Sequence, residues 1–195
     1  MILDEAKNGP GVVAIGDGHP AFYDDVTWDV YRRGKRRGLN VRIIPAISCL
    51  DAMAATCGLE INTSGLQIFD ANGMIAFDQR LNPYVDTLIM QIGWFGLSLT
   101  LDYAQSRKGR FDPVIKHLTK FYPETHPVKI MRAPSESDDA PTVITTKLSS
   151  LDRYHKTIYQ GMCLFLPALE SELDGFETFY EVSADKAHVL EVVEL

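Results

Sequence analysis

The sequence contains few cysteines and no long hydrophobic run. Its three cysteines are Cys49, Cys57 and Cys163, and their spacing forms no Cys-x-x-Cys pair. They predict free thiols in a reducing cytoplasm and not a disulfide framework. Every apolar stretch is far shorter than the ~20 residues of a membrane-spanning helix, so we expect no association with a membrane.

Positive charge is also scarce. The 195 residues include 19 lysines and arginines against 26 aspartates and glutamates, a formal net charge of −7 at pH 7. A negative field repels phosphate backbones, which disfavours nucleic acid as a partner. The five histidines show none of the spacings typical of zinc sites, so the sequence predicts no metal centre. The basic run at 32–37 ends a predicted helix that starts with acidic residues, the charge order that the helix dipole favours.

The most informative feature is a pair of strand–turn–helix units near the start of the chain. An apolar strand at 12–15 leads into Gly16-Asp17-Gly18-His19-Pro20, and a second at 41–44 leads into Pro45-Ala46-Ile47-Ser48-Cys49. Small residues at the carboxyl end of a parallel strand let the backbone approach a ligand, and the second turn also opens a helix with free N–H groups. We expect the two turns to face each other across a ligand cleft. The first turn matches neither a Walker A loop nor the GxGxxG pattern.

Three residues of these turns have two interpretations each. His19 is either a general base or a residue that shapes its turn through a backbone contact, and the second is favoured because Asp17 is too close in sequence to orient it. Ser48 and Cys49 are either nucleophiles or groups that position a ligand through a hydroxyl and backbone N–H groups. Since no histidine lies nearby in sequence, positioning is the simpler role.

The remaining pattern predicts an α/β chain in three parts. Residues 1–60 form an N-terminal parallel-sheet domain, 61–167 a mixed-sheet α+β domain, and 168–195 an acidic extension. Two strands before residue 60 are too few for an independent parallel sheet, so we expect this first domain to be incomplete and to be completed by a preceding segment or a partner chain. The predicted elements are helices at 2–7, 24–37, 49–57 and 112–122, the last with Asp112 as N-cap, a short helix from Leu148, and strands at 66–69, 87–93, 128–131, 142–147 and 158–166.

The order of these pieces resembles the tetrapyrrole methylase family of S-adenosylmethionine-dependent methyltransferases. Its members show an apolar strand, a turn such as Gly18-His19-Pro20, a helix, and a second strand that ends in a turn such as Pro45-Ala46-Ile47-Ser48-Cys49. Segments 65–71, 88–93 and 129–134 resemble the second domain of the family. The Gly-His-Pro form followed by Ala21-Phe22 is most similar to the borosin branch, which N-methylates peptide backbones.

The resemblance implies a two-domain fold of tetrapyrrole methylase type, S-adenosylmethionine as cofactor, and a peptide or small molecule as methyl acceptor. It also implies a homodimer, or a partner that supplies the N-terminal segment. The residues that it places at the cofactor form three groups. Asp17, Gly18, His19, Pro20 and Phe22 line it, Ser48 and Cys49 contact its methionine end, and Gln91, Ile92, Ala133 and Pro134 flank its adenosine.

The sequence departs from the family pattern in two ways. Ala46 stands where the family often has glycine. The family's first strand with its glycine-rich loop is not found, and the catalytic tyrosines and arginine of the borosin branch precede the Gly-His-Pro turn, so we assign no catalytic residue. Two alternatives stay open: a non-catalytic cofactor-binding or interaction subunit that completes its sheet with a partner, and a nucleotide-binding domain unrelated to methylation.

Overall fold

Five strands form one mixed sheet in the computed structural model, which describes residues 2–9, 11–61, 65–97, 106–134 and 139–170. The strand order is β1-β2-β5-β3-β4. β1 and β2 are parallel, whereas β2–β5, β5–β3 and β3–β4 are antiparallel pairs. The carboxyl ends of β1, β2 and β3 therefore share one edge with the start of β5. The strands are β1 (Leu66–Asp70), β2 (Asp86–Met90), β3 (Pro127–Arg132), β4 (Thr142–Lys147) and β5 (Cys163–Leu166).

The helices begin and end at local signals in the sequence. They are α1 (Ile2–Asn8), α2 (Asp25–Arg36), α3 (Cys49–Cys57), α4 (Ala71–Ala76) and α5 (Asp112–Leu118), with 3₁₀ turns at Ile92–Trp94 and Leu148–Tyr154. The Asp24 carboxylate caps α2 by accepting from the N–H groups of Val26 and Thr27. Gly58, with φ +65°, ends α3 in the left-handed conformation. The predicted helices 24–37 and 49–57 are confirmed. No helix in the described ranges is long and apolar enough to cross a membrane.

The predicted strands at 12–15 and 41–44 are wrong at the level of secondary structure. Both segments carry neither helix nor strand. A strand is defined by hydrogen bonds to a neighbour, and in these two segments only the Val41 N–H donates to a backbone carbonyl of the described chain, that of Leu39. The apolar runs were recognised correctly, but the strand partners they need are not among the described residues.

Three other predictions need correction. Asp112 is the first residue of α5 and not its N-cap, which is Phe111. The predicted strand 87–93 ends at Met90 because Gln91 adopts the left-handed conformation, with φ +59°. The predicted strand 158–166 begins only at Cys163. The structure also contains a short helix that the sequence did not suggest, α4, whose first turn is capped by the Asp70 carboxylate accepting from Gly73 N–H at 2.8 Å.

Alternate residues of the sheet are buried on opposite faces, as the two-residue period of a strand requires. One face carries Ile89, Ile130 and Leu164 and packs against α4 and α5. The other face carries Leu88, Met90, Met131, Cys163 and Phe165 and packs against Met53 of α3. We call this second set, with Phe22, Leu50 and Ala133 that pack against it, the α3-side cluster. It connects the N-terminal turns to the sheet.

Candidate functional site

The two N-terminal turns lie against each other. Gly18 has a φ of +71°, and a Cβ atom built on it would lie 3.6 Å from the carbonyl oxygen of Ile47. The predicted proximity of the bends at 16–20 and 45–49 is therefore confirmed, and the ligand cleft between them stays a prediction. A side chain at position 18 would be strained by the left-handed backbone and would project against the second turn.

His19 shapes the first turn. Its Nδ1 atom accepts a hydrogen bond from Ala21 N–H at 3.1 Å, and its carbonyl accepts from Phe22 N–H at 3.0 Å. This geometry confirms the favoured interpretation of His19 as a turn-forming residue. Its ring also lies within electrostatic range of Asp51 in α3. Hydrogen bonds from Ser48 hold the pKa of the Asp51 carboxyl below its usual value, and the charge of His19 lowers it further.

A capping box closes the start of α3. The Asp51 carboxylate accepts from the Ser48 N–H at 2.7 Å and from the Ser48 hydroxyl at 2.6 Å, while Ser48 Oγ accepts from Asp51 N–H at 3.3 Å. The Ser48 hydroxyl proton is thus committed to Asp51. Burial raises the pKa of the Cys49 thiol, although the N–H groups of Cys49 and Leu50 oppose this shift. Cys49 is exposed, and its raised pKa disfavours the thiolate that nucleophilic attack requires. Its role in positioning a ligand stays a prediction.

Phe22 and Tyr23 extend the first turn towards the sheet. Phe22 packs in the α3-side cluster together with Leu50 and Ala133, so the segments that follow both turns and the β3 end meet there. Tyr23 adopts the left-handed conformation, with φ +56°, which is uncommon for an aromatic residue. Burial and then the nearby charge of Asp70 raise the pKa of Tyr23 to about 12, with smaller effects from two cysteines. Its phenol therefore stays protonated at neutral pH.

The edge of the sheet brings together the segments predicted to flank an adenosine. Gln91 follows β2 and Ala133 follows β3, and β5 runs between these strands. Cys163, at the start of β5, pairs with Met131 and lies with its sulfur 3.5 Å from that of Met90. Gln91 and Ala133 thus lie on either side of Cys163 at one edge of the sheet. The strand β5 is next to β2 and β3 in the sheet, although it directly follows neither of them in the chain.

The predicted site residues do not all present a side chain to this region. Ile92 is fully buried on the α5 side of the sheet, and its carbonyl accepts from Arg110 at 3.4 Å, so only its main chain borders the edge. Asp17 is exposed, and Pro134 is partly buried after β3. Sequence reasoning missed Tyr23 and Asp70. Asp70 could have been found as the polar residue at the carboxyl end of a parallel strand, where open α/β sheets bind ligands.

The arrangement suits a ligand that is partly charged and partly aromatic. It combines the N-terminus of α3, a left-handed glycine turn and an apolar wall continuous with the sheet edge. Helix N-termini attract carboxylates, and apolar walls accept aromatic rings. No group of three or more His, Cys, Asp or Glu side chains in the described ranges could hold a metal ion.

Comparison with known proteins identifies the family. The family model described as Tetrapyrrole (Corrin/Porphyrin) Methylases matches residues 1–152. The chain belongs to this family. The family assignment agrees with the resemblance drawn from the Gly18-His19-Pro20 turn and the second turn at 45–49.

Curated relatives are named as methyltransferases combined with precursors of ribosomally synthesized cyclic peptides, some of them as type I borosin precursors. The chain is 23% identical over 128 residues to the methyltransferase/ribosomally synthesized cyclic peptide lentinulin A precursor of Lentinula edodes, covering 66% of this chain and 30% of that protein. It is 22% identical over 194 residues to the corresponding omphalotin A precursor of Omphalotus olearius, covering 99% of this chain and 43% of that protein. The chain therefore spans less than half the length of these relatives.

Solved structures of the family share the fold. Uroporphyrin-III C-methyltransferase from Thermus thermophilus, solved as a complex with S-adenosyl homocysteine, aligns with a TM-score of 0.58 at 14% identity over 91% of this chain and 72% of that one. Cobalt precorrin-4 methyltransferase aligns with a TM-score of 0.56 at 17% identity over 85% of this chain and 67% of that one. The mixed α/β fold of tetrapyrrole methylase type is thus confirmed.

Proposed function

We propose that this chain binds S-adenosylmethionine between the two N-terminal turns and the sheet edge, and that it is an S-adenosylmethionine-dependent methyltransferase. The contact of Gly18 with Ile47 carries the proposal, because it joins the turns that the family pattern assigns to the cofactor. One structural relative was solved with S-adenosyl homocysteine, the demethylated form of this cofactor, which supports the choice of ligand.

The residues present fit such a cofactor. The cofactor's methionine end carries a carboxylate, and α3 offers it the N–H groups of its first turn beside the Ser48 cap. Its adenosine is flat and largely apolar, and the ends of β2 and β3 offer Gln91 and Ala133 on either side of Cys163. Gly18 leaves the space between the turns free of a side chain. Asp17, Pro20, Ile92 and Pro134 complete the proposed lining.

Methyl transfer from such a cofactor makes modest demands on the protein. When bound, S-adenosylmethionine supplies a methyl group on a positively charged sulfur. The chain has to bind the two reactants and hold them in line, because displacement at a sulfonium needs orientation more than proton transfer. Phe22 and the rest of the α3-side cluster exclude water from one side of the site. The protonated phenol of Tyr23 is a hydrogen-bond donor at its border.

A peptide backbone amide is the proposed methyl acceptor, with a small molecule as the alternative. The peptide is favoured because the curated relatives are named as methyltransferases combined with precursors of ribosomal cyclic peptides. These relatives are more than twice as long as the matched segment. We therefore propose that the catalytic groups lie outside the segment that this chain matches. Three free thiols fit a reducing compartment such as the cytoplasm.

A second candidate function is a non-catalytic cofactor-binding subunit that completes its fold by association. The observation that favours it is the exposure of large apolar side chains along the unpaired N-terminal segments. Val13 is 82%, Ile15 93% and Ile44 77% exposed. Contiguous apolar exposure with unpaired backbone marks an interaction surface. A partner chain that supplies the N-terminal segment is the proposed occupant of this surface, with a homodimer as the alternative.

Calorimetric titration with S-adenosyl homocysteine tests the proposal. We expect micromolar binding by the wild-type chain and a loss of at least about tenfold for Gly18→Leu, because a side chain there fills the space between the turns. Gly38→Leu is the matched control, since Gly38 is also left-handed but has nothing within 4 Å of a Cβ atom. Binding that appears only after a second chain is added would favour the subunit. Tighter binding of ATP than of S-adenosyl homocysteine would reject methyl transfer.

A further inference from the structure

The end of β3 is tied to the segment just before β4 by a partly buried ion pair. Arg132 is the last residue of β3 and directly precedes Ala133 and Pro134. Its Nη1 atom donates to Asp139 Oδ2 at 2.6 Å, and the two side chains are only 16% and 31% exposed. Charge-assisted hydrogen bonds of this length are among the stronger polar contacts in proteins. The pair therefore fixes the two ends of the β3–β4 connection against each other.

The same arginine also contacts the segment before β5. The central carbon of its guanidinium lies 5.9 Å from the centre of the Tyr159 ring, within the range of a cation–π contact. Its Nε atom is buried and has no hydrogen-bond partner within the described ranges. Because one N–H group is left unpaired, the position of the guanidinium depends on the remaining contacts with Asp139 and Tyr159.

Tyr159 meets the opposite wall of the proposed adenosine site through its main chain. A Cβ atom on Gly93 would overlap the Tyr159 carbonyl and would lie 2.8 Å from Gln160 N. Gly93 comes two residues after Gln91, which directly follows β2. Tyr159 therefore touches both walls: its backbone packs on the segment after β2, and its ring lies beside the arginine that ends β3.

We propose that Arg132, held by Asp139 and Tyr159, is a positioning residue that sets the separation between Gln91–Ile92 and Ala133–Pro134 and thereby controls affinity for the adenosine half of the cofactor. This inference rests on the proposed cofactor function. Loss of the Asp139 charge removes the only ion-pair partner of the guanidinium in the described ranges and lets it turn towards solvent, which loosens the end of β3.

The test compares binding of adenosine and of S-adenosyl homocysteine by wild type, Asp139→Asn and Arg132→Lys. Lysine keeps the charge but lacks the planar fork. We expect both variants to lose about tenfold in affinity for both ligands, by the same factor, because both ligands carry the adenosine. Asp139→Glu restores the carboxylate and is expected to recover most of the loss. Asp29→Asn is the control, since it removes an exposed ion pair within α2, that between Asp29 and Arg33.

A purely structural role would lower the melting temperature of Asp139→Asn while leaving the affinity of the folded protein unchanged, and this result would overturn the inference. If Asp139→Asn does not fold, wild-type affinity in Arg132→Lys has the same consequence. Wild-type protein that binds neither ligand would instead reject the proposed function, and the inference with it. A variant that loses affinity for S-adenosyl homocysteine but not for adenosine would place the effect at the methionine end of the cofactor. That result would also overturn the inference.

Discussion

Gly34, in the last turn of α2, packs directly against Val41: a Cβ atom at position 34 would lie 2.5 Å from Val41 Cγ2 and 3.3 Å from Leu3 Cδ2. Glycine near the end of a helix costs stability relative to alanine, so its presence here reflects the close approach of the segment that leads to the second turn. The contact joins α1, α2 and the run 39–44, which contains no strand. The contact positions the turn at 45–49, although residues 39–44 make no sheet hydrogen bond within the described ranges.

Gly34→Ala is expected to destabilise the chain by about 1–2 kcal/mol, because the clash with Val41 outweighs the gain in helix propensity. Thermal and urea unfolding measure the change. Gly73→Ala is the matched control. Gly73 is also helical, but its nearest neighbours, in Asp70, lie at ordinary contact distances of 3.5 and 3.7 Å. Equal stability of the two variants would contradict the close packing of α2 on Val41.

Gly93→Ala is expected to have the largest effect of any glycine substitution in the described ranges. The new methyl group would overlap the backbone of Tyr159, and a backbone can yield only if the whole segment before β5 moves. We expect a loss of about 3 kcal/mol or more, or failure to fold, as for severe overpacking of a core. Denaturant unfolding provides the measurement. Gly16→Ala is the control, because its Cβ atom would meet nothing closer than 4.0 Å. Near-wild-type stability of Gly93→Ala would refute this packing.

His126 is expected to make stability depend on pH. It is 6% exposed, its Nε2 atom lies 2.9 Å from the Pro167 carbonyl oxygen, and burial lowers its pKa below 6.5. The unfolded state therefore takes up a proton first as pH falls. The stability contributed by neutral His126 is present above pH 6.5 and is lost as pH falls from there to the lower pKa of the folded state.

Urea midpoints measured between about pH 7.5 and pH 5 check this dependence. We expect His126→Asn to be less stable than wild type at the upper end of this pH range. Its urea midpoint should also change less with pH at the acidic end. An identical slope in wild type and variant would mean that His126 does not titrate in the way its burial implies.

The parts of the fold that the sequence predicted are those with local causes. Helix α3 was predicted with its observed bounds because it is rich in alanine and ends at Gly58, and the structure adds the Ser48 cap at its start. The strands at 12–15 and 41–44 were predicted wrongly because a strand depends on a partner that hydrophobic pattern alone cannot supply. Helix α4 was missed because its six residues include a glycine and lack a clear helical period.

The candidate site was predicted in the same uneven way. The contact between the turns at 16–20 and 45–49 followed from two strand-to-helix signals that are each local. The placement of Cys163 between the ends of β2 and β3 was not foreseen, because β5 comes last in the chain yet lies in the middle of the sheet. The left-handed conformation of Tyr23 was also not foreseen, because a bulky aromatic residue is not one that sequence rules place at a positive φ.

Tyr23 is expected to titrate at unusually high pH. Burial comes first among the causes that raise its pKa to about 12, and the charge of Asp70 comes second. Because the folded pKa lies above the ordinary value of 10.0, the stability that the neutral phenol contributes is present below pH 10 and is lost as pH rises towards about 12. The difference in tyrosinate absorbance between wild type and Tyr23→Phe isolates this group from the other tyrosines.

The variant Asp70→Asn then separates the effect of burial on the Tyr23 pKa from the effect of the Asp70 charge. Asparagine keeps an oxygen for the Gly73 N–H that caps α4, so the variant removes the charge without removing the cap. We expect the midpoint of the Tyr23 titration to fall in this variant but to stay above 10.0, because burial persists. An unchanged midpoint would show that Asp70 does not face Tyr23. A midpoint at the ordinary value in wild type would show that neither burial nor the charge of Asp70 acts on Tyr23.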